Sequence, residues 1–310
     1  MRRTQGVINL TITNRAYSIA ADFHRVGQFL LDTYRQGGIY PNWEESRWQY
    51  MHSHPFTIPE QAYKIRLWEN DGAIVGVVSH EGLAGDAFFF EHPDYLFLKE
   101  GMLQYAERNL YTITDEGQAR LVLHINEWDE DLASLATKAG FSRREDKPEW
   151  VSFFPMQDPF PEITLPDGFS LQSLSDENDL HKIHRVMWRG FNNPGEPPEE
   201  GIADRAKMQT SPNFHHDLTI VTVAPNGDYA SICGMWYEPQ TGLAYVEPVA
   251  TDPSYRRMGL GKAAVLEGIR RCKELGATHA MVGSGQAFYQ DIGFKKMFCS
   301  YQWIKEWALR

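Results

Sequence analysis

The chain has 310 residues, 42% of them hydrophobic and 23% charged, with a formal net charge of −11. That composition predicts a globular protein with a buried core, long enough for about two ordinary domains, and argues against intrinsic disorder. The acidic balance argues against nucleic acid as a partner, because such proteins present a basic face, and no apolar run approaches the roughly 18 residues of a membrane span.

Behind Arg2 and Arg3, the stretch Met1 to Ile12 has no apolar run of signal-peptide character. Cys233, Cys272 and Cys299 are odd in number and far apart, with no metal-ligand spacing. They read as buried thiols of a reducing compartment, so the expectation is a cytoplasmic protein without a bound metal.

In chain order, the first half predicts a strand at Ala16–Ile19 and helices at Ala20–Arg35 and Asn42–His52. Strands follow at Ala62–Trp68, Ala73–Ser79 and Ala87–Phe90, with Asn70-Asp71-Gly72 as the first turn. A helix at Tyr95–Asn109, a strand at Ala119–Asn126, a helix at Asp131–Ala139 and a strand at Trp150–Phe154 complete this half. The stretch Pro155–Gly168 carries four prolines and reads as a linker. It divides the chain into domains 1–156 and 169–310, joined by 157–168.

The second half predicts a strand at Phe169–Leu174, then a helix at Glu177–Gly190 capped by Ser175, and another helix at Gly201–Thr210. Strands follow at Leu218–Ala224, Tyr229–Glu238 and Leu243–Thr251, with Asn226-Gly227 as a hairpin turn. A long helix at Gly259–Leu275 ends at Gly276. A strand at His279–Val282, a short helix at Ala287–Ile292 and a strand at Lys295–Trp303 close the order. The fold class is mixed α/β, an α+β arrangement on a mixed sheet.

The two halves repeat this order. His92-Pro93-Asp94-Tyr95 precedes the long helix of one and Asp252-Pro253-Ser254-Tyr255 that of the other. Ala139-Gly140-Phe141 and Ile292-Gly293-Phe294 close their last helices. A duplicated domain is therefore expected.

Chemistry concentrates at Arg256-Arg257-Met258-Gly259-Leu260-Gly261, between a strand and a helix. Unpaired N–H groups of a first helical turn converge on an anion. Gly259 and Gly261 let backbone approach phosphate oxygens, and Arg256, Arg257 and Lys262 gather positive charge there. Other candidates are weaker. His215-His216-Asp217 lacks a third ligand, while His181, His184, Trp188, Trp236, Tyr237 and Glu238 are candidates for lining a cleft.

The Arg-x-x-Gly-x-Gly turn, the preceding Val249-Ala250-Thr251-Asp252-Pro253 and the later Phe288-Tyr289-Gln290-Asp291-Ile292-Gly293-Phe294 together resemble the GCN5-related N-acetyltransferase (GNAT) family. The resemblance spans about Phe169 to Trp303. It implies two tandem acyl-CoA N-acyltransferase-like domains and a direct transfer from acetyl-CoA to the amine of a small-molecule acceptor. It implies that Arg256, Arg257, Met258, Gly259, Leu260, Gly261 and Lys262 hold the diphosphate, and that Val249 and Thr251 pair with the pantetheine arm. Tyr289 stands where the family carries a general acid, and Glu247 where some members carry a catalytic carboxylate.

The first half departs from the pattern. Leu96-Phe97-Leu98-Lys99-Glu100-Gly101 lacks both arginines, Lys99 replaces the first glycine, and Ala136 stands in place of Tyr289. That half is expected to be a degenerate copy without coenzyme, packing and supplying acceptor-cleft walls, in a monomer or homodimer. A non-catalytic acyl-CoA sensor and a structural tandem domain are the alternatives.

Overall fold

The structure, a computed structural model, describes residues 11–34, 43–156 and 158–309. The predicted N-terminal stretch before Thr11, Arg35, Asn42 and Gln157 lie outside them. The first elements are β1 (Ile12–Ala16), α1 (Ile19–Thr33), α2 (Glu45–Ser53), β2 (Arg66–Asn70), β3 (Ala73–Glu81) and β4 (Leu83–Glu91). Then come α3 (Lys99–Asn109), β5 (Thr112–Ile113), β6 (Gln118–Asn126), α4 (Glu130–Lys138), β7 (Ser142–Arg143) and β8 (Glu149–Pro155). The second series is β9 (Ser170–Ser173), α5 (Leu180–Gly190), α6 (Ile202–Met208), β10 (Ile220–Val223), β11 (Tyr229–Glu238) and β12 (Leu243–Thr251). It ends with α7 (Leu260–Glu274), β13 (His279–Val282), α8 (Ala287–Ile292) and β14 (Lys295–Ala308).

The bounds predicted for β11, β12, β13 and α8 coincide with those observed. Others move for identifiable reasons. The predicted strand at Ala16–Ile19 overlaps β1 only at Ala16 and runs into α1 at Ile19, and β1 lies earlier, paired antiparallel with β2 from Ile12 to Ala16. Helix α5 starts at Leu180 rather than Glu177, because Asp179, not Ser175, is its cap and accepts from the His181 and Lys182 N–H groups.

The chain divides into two compact units that interleave along the sequence instead of meeting at residues 157–168. Unit 1 takes the described residues up to Glu44, Ile58–Arg144, and those from Gln302 onward. Unit 2 takes Glu45–Thr57 and Glu145–Tyr301. Helix α2 and strand β8, read from sequence as parts of the first domain, therefore belong to unit 2.

In unit 1 the strand order is β1-β2-β3-β4-β6, with the end of β14 beside β6 and β7. In unit 2 it is β9-β10-β11-β12-β13-β8 and then the start of β14. Each unit has one parallel step, β4 with β6 and β12 with β13, in an otherwise antiparallel sheet. The repeat is local as well as topological. His92 and Asp252 each cap a short 3-10 turn by accepting the N–H two residues on. Phe141 and Phe294 each donate back to the carbonyl five residues earlier, that of Ala136 in one unit and Tyr289 in the other.

The core of unit 2 forms where α7 packs on the middle strands. Ala264, Val265, Leu266, Ile269 and Cys272 are fully buried against Ile220, Cys233, Met235 and Val246. Apolar positions three and four apart give the helix this wide buried face. Glu267 is buried on the same helix. Burial alone would raise its carboxyl pKa, but the Arg270 and Arg271 guanidinium groups at 2.7 and 2.8 Å hold it below the usual range. Phe160 and Ile163 of the predicted linker pack against this core too.

All three cysteines are buried. Among the described residues, no helix is long and apolar enough to cross a membrane.

The interleaving has a measurable consequence. A fragment of residues 169–310 lacks α2 and also β8, which pairs with both β13 and β14. It would expose two bare strand edges. The fragment is expected to be insoluble or to lack a cooperative thermal transition, while the whole chain unfolds cooperatively. Far-UV circular dichroism on heating checks this.

Candidate active site

The site is built on β12. Its pairing with β11 runs from Leu243↔Glu238 to Thr251↔Ser231, whereas its parallel pairing with β13 ends at Tyr245↔Met281. Beyond Tyr245 the two parallel strands part, and β12 continues as one side of an opening. Val249 and Thr251 alternate as partly exposed residues with buried Pro248 and Ala250 and face α7, whereas Glu247 lines the α5 and α6 side.

A bulge that the proline foretells resets the alternation, since Val246 before it and Val249 after it both pack on the α7 core. Pro248 has no N–H for a ladder bond, and the register against β11 shifts between Cys233 and Met235. The Glu247–Pro248 peptide is cis. Gly234 sits opposite, where a Cβ would come within 2.5 Å of the Glu247 carbonyl oxygen. Trp236 Nε1 donates to the same oxygen at 2.8 Å and pins the bulge.

Tyr289 comes from the middle of α8. It is 8% exposed and packs edge-on against Phe288 and Phe294. Its hydroxyl makes no hydrogen bond among the described residues. Burial pushes that phenol well above its ordinary value, and the nearby Cys233 and Glu247 push the same way. Burial likewise holds Cys233 as a thiol, with Cys272 and Glu247 adding to the rise. The Glu247 charge thus acts on Tyr289, far from it in sequence.

The turn before α7 has the shape of an anion cradle. Arg257 and Gly259 both adopt the left-handed conformation, with φ of 63° and 82°, and Gly259 caps the 15-residue helix. Alternation of this kind points successive N–H groups inward. Space around Gly259 is open, with nothing within 4 Å of a built Cβ. Arg257 and Lys262 are exposed and make no ion pair among the described residues.

Other members of the predicted set also make contacts within the fold. Arg256 donates to the Thr251 carbonyl at 3.2 Å and to the Gly190 carbonyl at 2.9 Å, tying the turn to the end of α5. Leu260 is buried with Ala224 and Ala230. Gly261 is small because α7 approaches β12, and a Cβ there would lie 2.7 Å from Thr251 Oγ1. Asp252 is also fully buried. Burial would raise its carboxyl, but Arg189 and the Ser254 N–H hold it below the usual range. A hollow of about 300 Å³ flanks the turn between Glu162–Pro166 and Met258, Gly259, Lys262, Ala263 and Leu266. The supposed linker is therefore one wall of the cradle.

On the α5 and α6 side of the strands lies a second hollow, floored by Gly234, Trp236, Glu247 and Pro248. Its enclosed part is about 30 Å³, and with its open mouth it measures about 400 Å³. Leu174, Ile183, Met187, Met208 and Phe214 make it mostly apolar, with Arg205 and Gln209 among its polar lining. Trp236 stands edge-on to both Tyr50 of α2 and Phe214. The first sequence half thus supports this hollow through α2. Of the predicted cleft residues, Trp236 lines it. Tyr237 instead bonds the Leu275 carbonyl, and His184 bonds the Pro198 carbonyl. His216 bonds Gln209, and among the described residues no group of three or more His, Cys, Asp or Glu side chains is placed to hold a metal. Arg205 was missed, and a lone arginine on a seven-residue helix carries no motif to find it by.

In unit 1 the equivalent turn has no left-handed residue, and Lys99 is in right-handed helical conformation where Gly259 is left-handed. The Lys99 ammonium pairs with Asp129 at 2.6 Å, both nearly buried. The positive charge is neutralised within the unit.

Comparison with known proteins agrees with this geometry. Residues 178–294 match the family described as Acetyltransferase (GNAT) family. A GCN5-related N-acetyltransferase from Sphaerobacter thermophilus superposes with a TM-score of 0.63 at 15% identity, over 96% of this chain and 97% of that one. A tandem GNAT protein from the clavulanic acid biosynthesis pathway gives 0.64 at 13% identity, over 95% and 98%. The fold is therefore a tandem GNAT fold. Through residues 178–294 the chain is similar to the GNAT acetyltransferases. Among curated relatives, mycothiol acetyltransferases from Thermomonospora curvata and a Nocardioides species are 28% and 25% identical over 46% and 52% of this chain. The matches span 50% and 61% of those relatives.

Proposed function

We propose that the protein is an N-acetyltransferase that moves an acetyl group from acetyl-CoA to the amine of a small-molecule acceptor in a ternary complex. The observation that carries this reading is the placement of Glu247 where β12 parts from β13, near enough to Tyr289 for its charge to raise that phenol, on the strand that leads into the left-handed turn at Gly259. The residues fit the coenzyme. The left-handed turn, the first N–H groups of α7, Arg257 and Lys262 suit a diphosphate, and the open side of β12 at Val249 and Thr251 suits an extended arm bearing amides. Bound acetyl-CoA supplies the thioester carbonyl that the amine attacks.

The chain's residues then divide the remaining work. Glu247 takes the proton of the acceptor ammonium, directly or through water, so that nitrogen has a lone pair. The hollow on the α5 and α6 side excludes water around that nitrogen and orients it. Tyr289 gives its proton to the departing thiolate sulfur as the carbon–sulfur bond breaks. Unit 1, with its cradle closed by Lys99 and Asp129, binds no coenzyme, giving one site per chain.

A thiol-release assay with acetyl-CoA across an amine panel, alongside calorimetry with coenzyme A, tests the reading. Turnover with one coenzyme bound per chain is the expected result. Binding without turnover on any amine would mark a sensor, and absence of binding would reject both readings. Glu247→Gln is expected to lower kcat/KM by roughly 10²–10⁴-fold while coenzyme affinity stays within error. Unchanged turnover would remove Glu247 from the mechanism.

A further inference from the structure

We propose that the hollow beside Glu247 takes an acceptor amine that also carries a carboxylate, and that Arg205 is the residue that holds this carboxylate. The amine end of the proposal rests on the acyl-transfer reading. The anionic end stands on the surroundings of Arg205.

Arg205 lines the hollow from α6. Its Nε donates to His184 Nδ1 at 3.2 Å. His184 Nε2 lies 2.9 Å from the Pro198 carbonyl oxygen, which can only accept, so Nε2 carries the hydrogen and Nδ1 offers a lone pair. The loop closes on the ring so tightly that a Cβ on Gly201 would come within 2.4 Å of Cε1. One edge of the guanidinium is therefore fixed in orientation.

The other edge lacks a matching partner. Nη1 reaches only the Met208 sulfur, at 3.3 Å, and a thioether is a weak acceptor. Among the described residues Arg205 forms no ion pair, and neither terminal nitrogen has an oxygen acceptor. Burial lowers its pKa, and Tyr50 and Asp204 only partly offset that. The contrast with the neighbouring helix is direct. Arg185 pairs with Glu196 at 2.8 Å, and Arg189 with Asp252 at 2.5 Å. In a chain of net charge −11, carboxylates are plentiful, yet this half-buried cation has none. Removing a cation from water without a partner is unfavourable, so its retention in a hollow calls for a ligand that supplies one.

The planar fork of a guanidinium matches a carboxylate in two parallel hydrogen bonds. Glu247 lies on the floor of the same hollow and suits an ammonium. Met187, Phe214 and Trp236 between them suit an apolar body. The ligand these features describe is a zwitterion with an apolar body.

Matched pairs test this: phenylalanine against phenethylamine, and leucine against isoamylamine, each as acceptor for acetyl-CoA. Wild type is expected to prefer the carboxylate member by about 10- to 100-fold in kcat/KM, the worth of a charged hydrogen-bonded pair. Arg205→Met is expected to erase the preference, chiefly through KM for the amino acid. It should not lower Tm, because it removes an unpaired charge, and Arg205→Lys should restore part of the preference. Equal use of both members by wild type, a preference that survives Arg205→Met, or better use of phosphoethanolamine than of the amino acids would overturn the proposal. Calorimetry without acetyl-CoA keeps it separate from the chemistry. If no amine is acetylated, tighter binding of 3-phenylpropionate than of 3-phenylpropanamide, lost in Arg205→Met, supports the anion site. Equal binding, or none, rejects it.

Discussion

Gly259→Asp is expected to weaken coenzyme A binding by about 100-fold or more, with only a modest loss of stability. Three features combine. The residue has φ of 82°, a conformation that costs an L-residue roughly 1–2 kcal/mol and that fixes where the neighbouring N–H groups point. The new carboxylate stands at the N-terminus of α7, where the helix would otherwise attract phosphate, and like charges brought together across a binding site cost several kcal/mol. Space around the site is open, so no steric collapse of the core accompanies the change. Gly259→Ala separates the first feature from the second: it carries the backbone cost without the charge and should lose far less affinity. Calorimetry with coenzyme A on both variants, with Tm measured in parallel, gives the answer. Equal affinity of Gly259→Asp and wild type would move the diphosphate away from this turn. Loss of the fold in both variants would make the glycine structural.

Why the cradle was legible in sequence and its neighbours were not is a matter of range. A left-handed helix start needs a glycine at one place in a short motif, so the signal is local. The same holds for β11 to β13 and α8, whose bounds follow from apolar patterning and turn residues. Gly261 shows what local reading leaves out. It appears in the motif with Gly259, and the structure adds a packing reason for it, the close approach to Thr251 Oγ1. Arg256 likewise reads as a phosphate ligand, yet its guanidinium spans the Thr251 and Gly190 carbonyls. A close approach between elements leaves no mark in the pattern of either one.

Long-range pairing is less legible still. Nothing in Trp150–Phe154 says whether that strand closes its own half or lies between β13 and β14, since either edge offers the same ladder. Helix α2 has a weakly amphipathic sequence, and its place in unit 2 rests on particular contacts, such as the Gln49 side chain accepting from the Asn213 N–H at 3.0 Å. The start of α5 failed through competition between two possible caps. Asp176 turns back to bind the Ser173 N–H and hydroxyl at 2.8 Å, which holds 173–176 as a separate turn and leaves Asp179 to cap the helix. Arg205 is the extreme case. Its significance lies in what it lacks among the described residues, an anionic partner, and that is visible only once its neighbours are in place.

Tyr289→Phe separates catalysis from packing most cleanly. The ring belongs to the core with Phe154, Ile292 and Phe294, and phenylalanine keeps that shape. The hydroxyl makes no hydrogen bond among the described residues, so removing it strands no partner, and Tm is expected to stay the same or rise slightly. Coenzyme affinity should also hold. Turnover is another matter. If the phenol protonates the thiolate, kcat falls by roughly 10²–10⁴-fold with KM nearly unchanged, as for an interaction made only in the transition state. The pH dependence has a definite sign. Burial raises the phenol above its ordinary value near 10, so it stays protonated throughout the assayed range. Tyr289 therefore contributes no alkaline fall in kcat below about pH 10, and the loss in the phenylalanine variant is the same factor at every pH from 6 to 9. A loss that shrinks as pH rises would mean that another group titrates in its place. Wild-type turnover in the variant would return Tyr289 to the core as packing alone, leaving the thiolate to depart unprotonated.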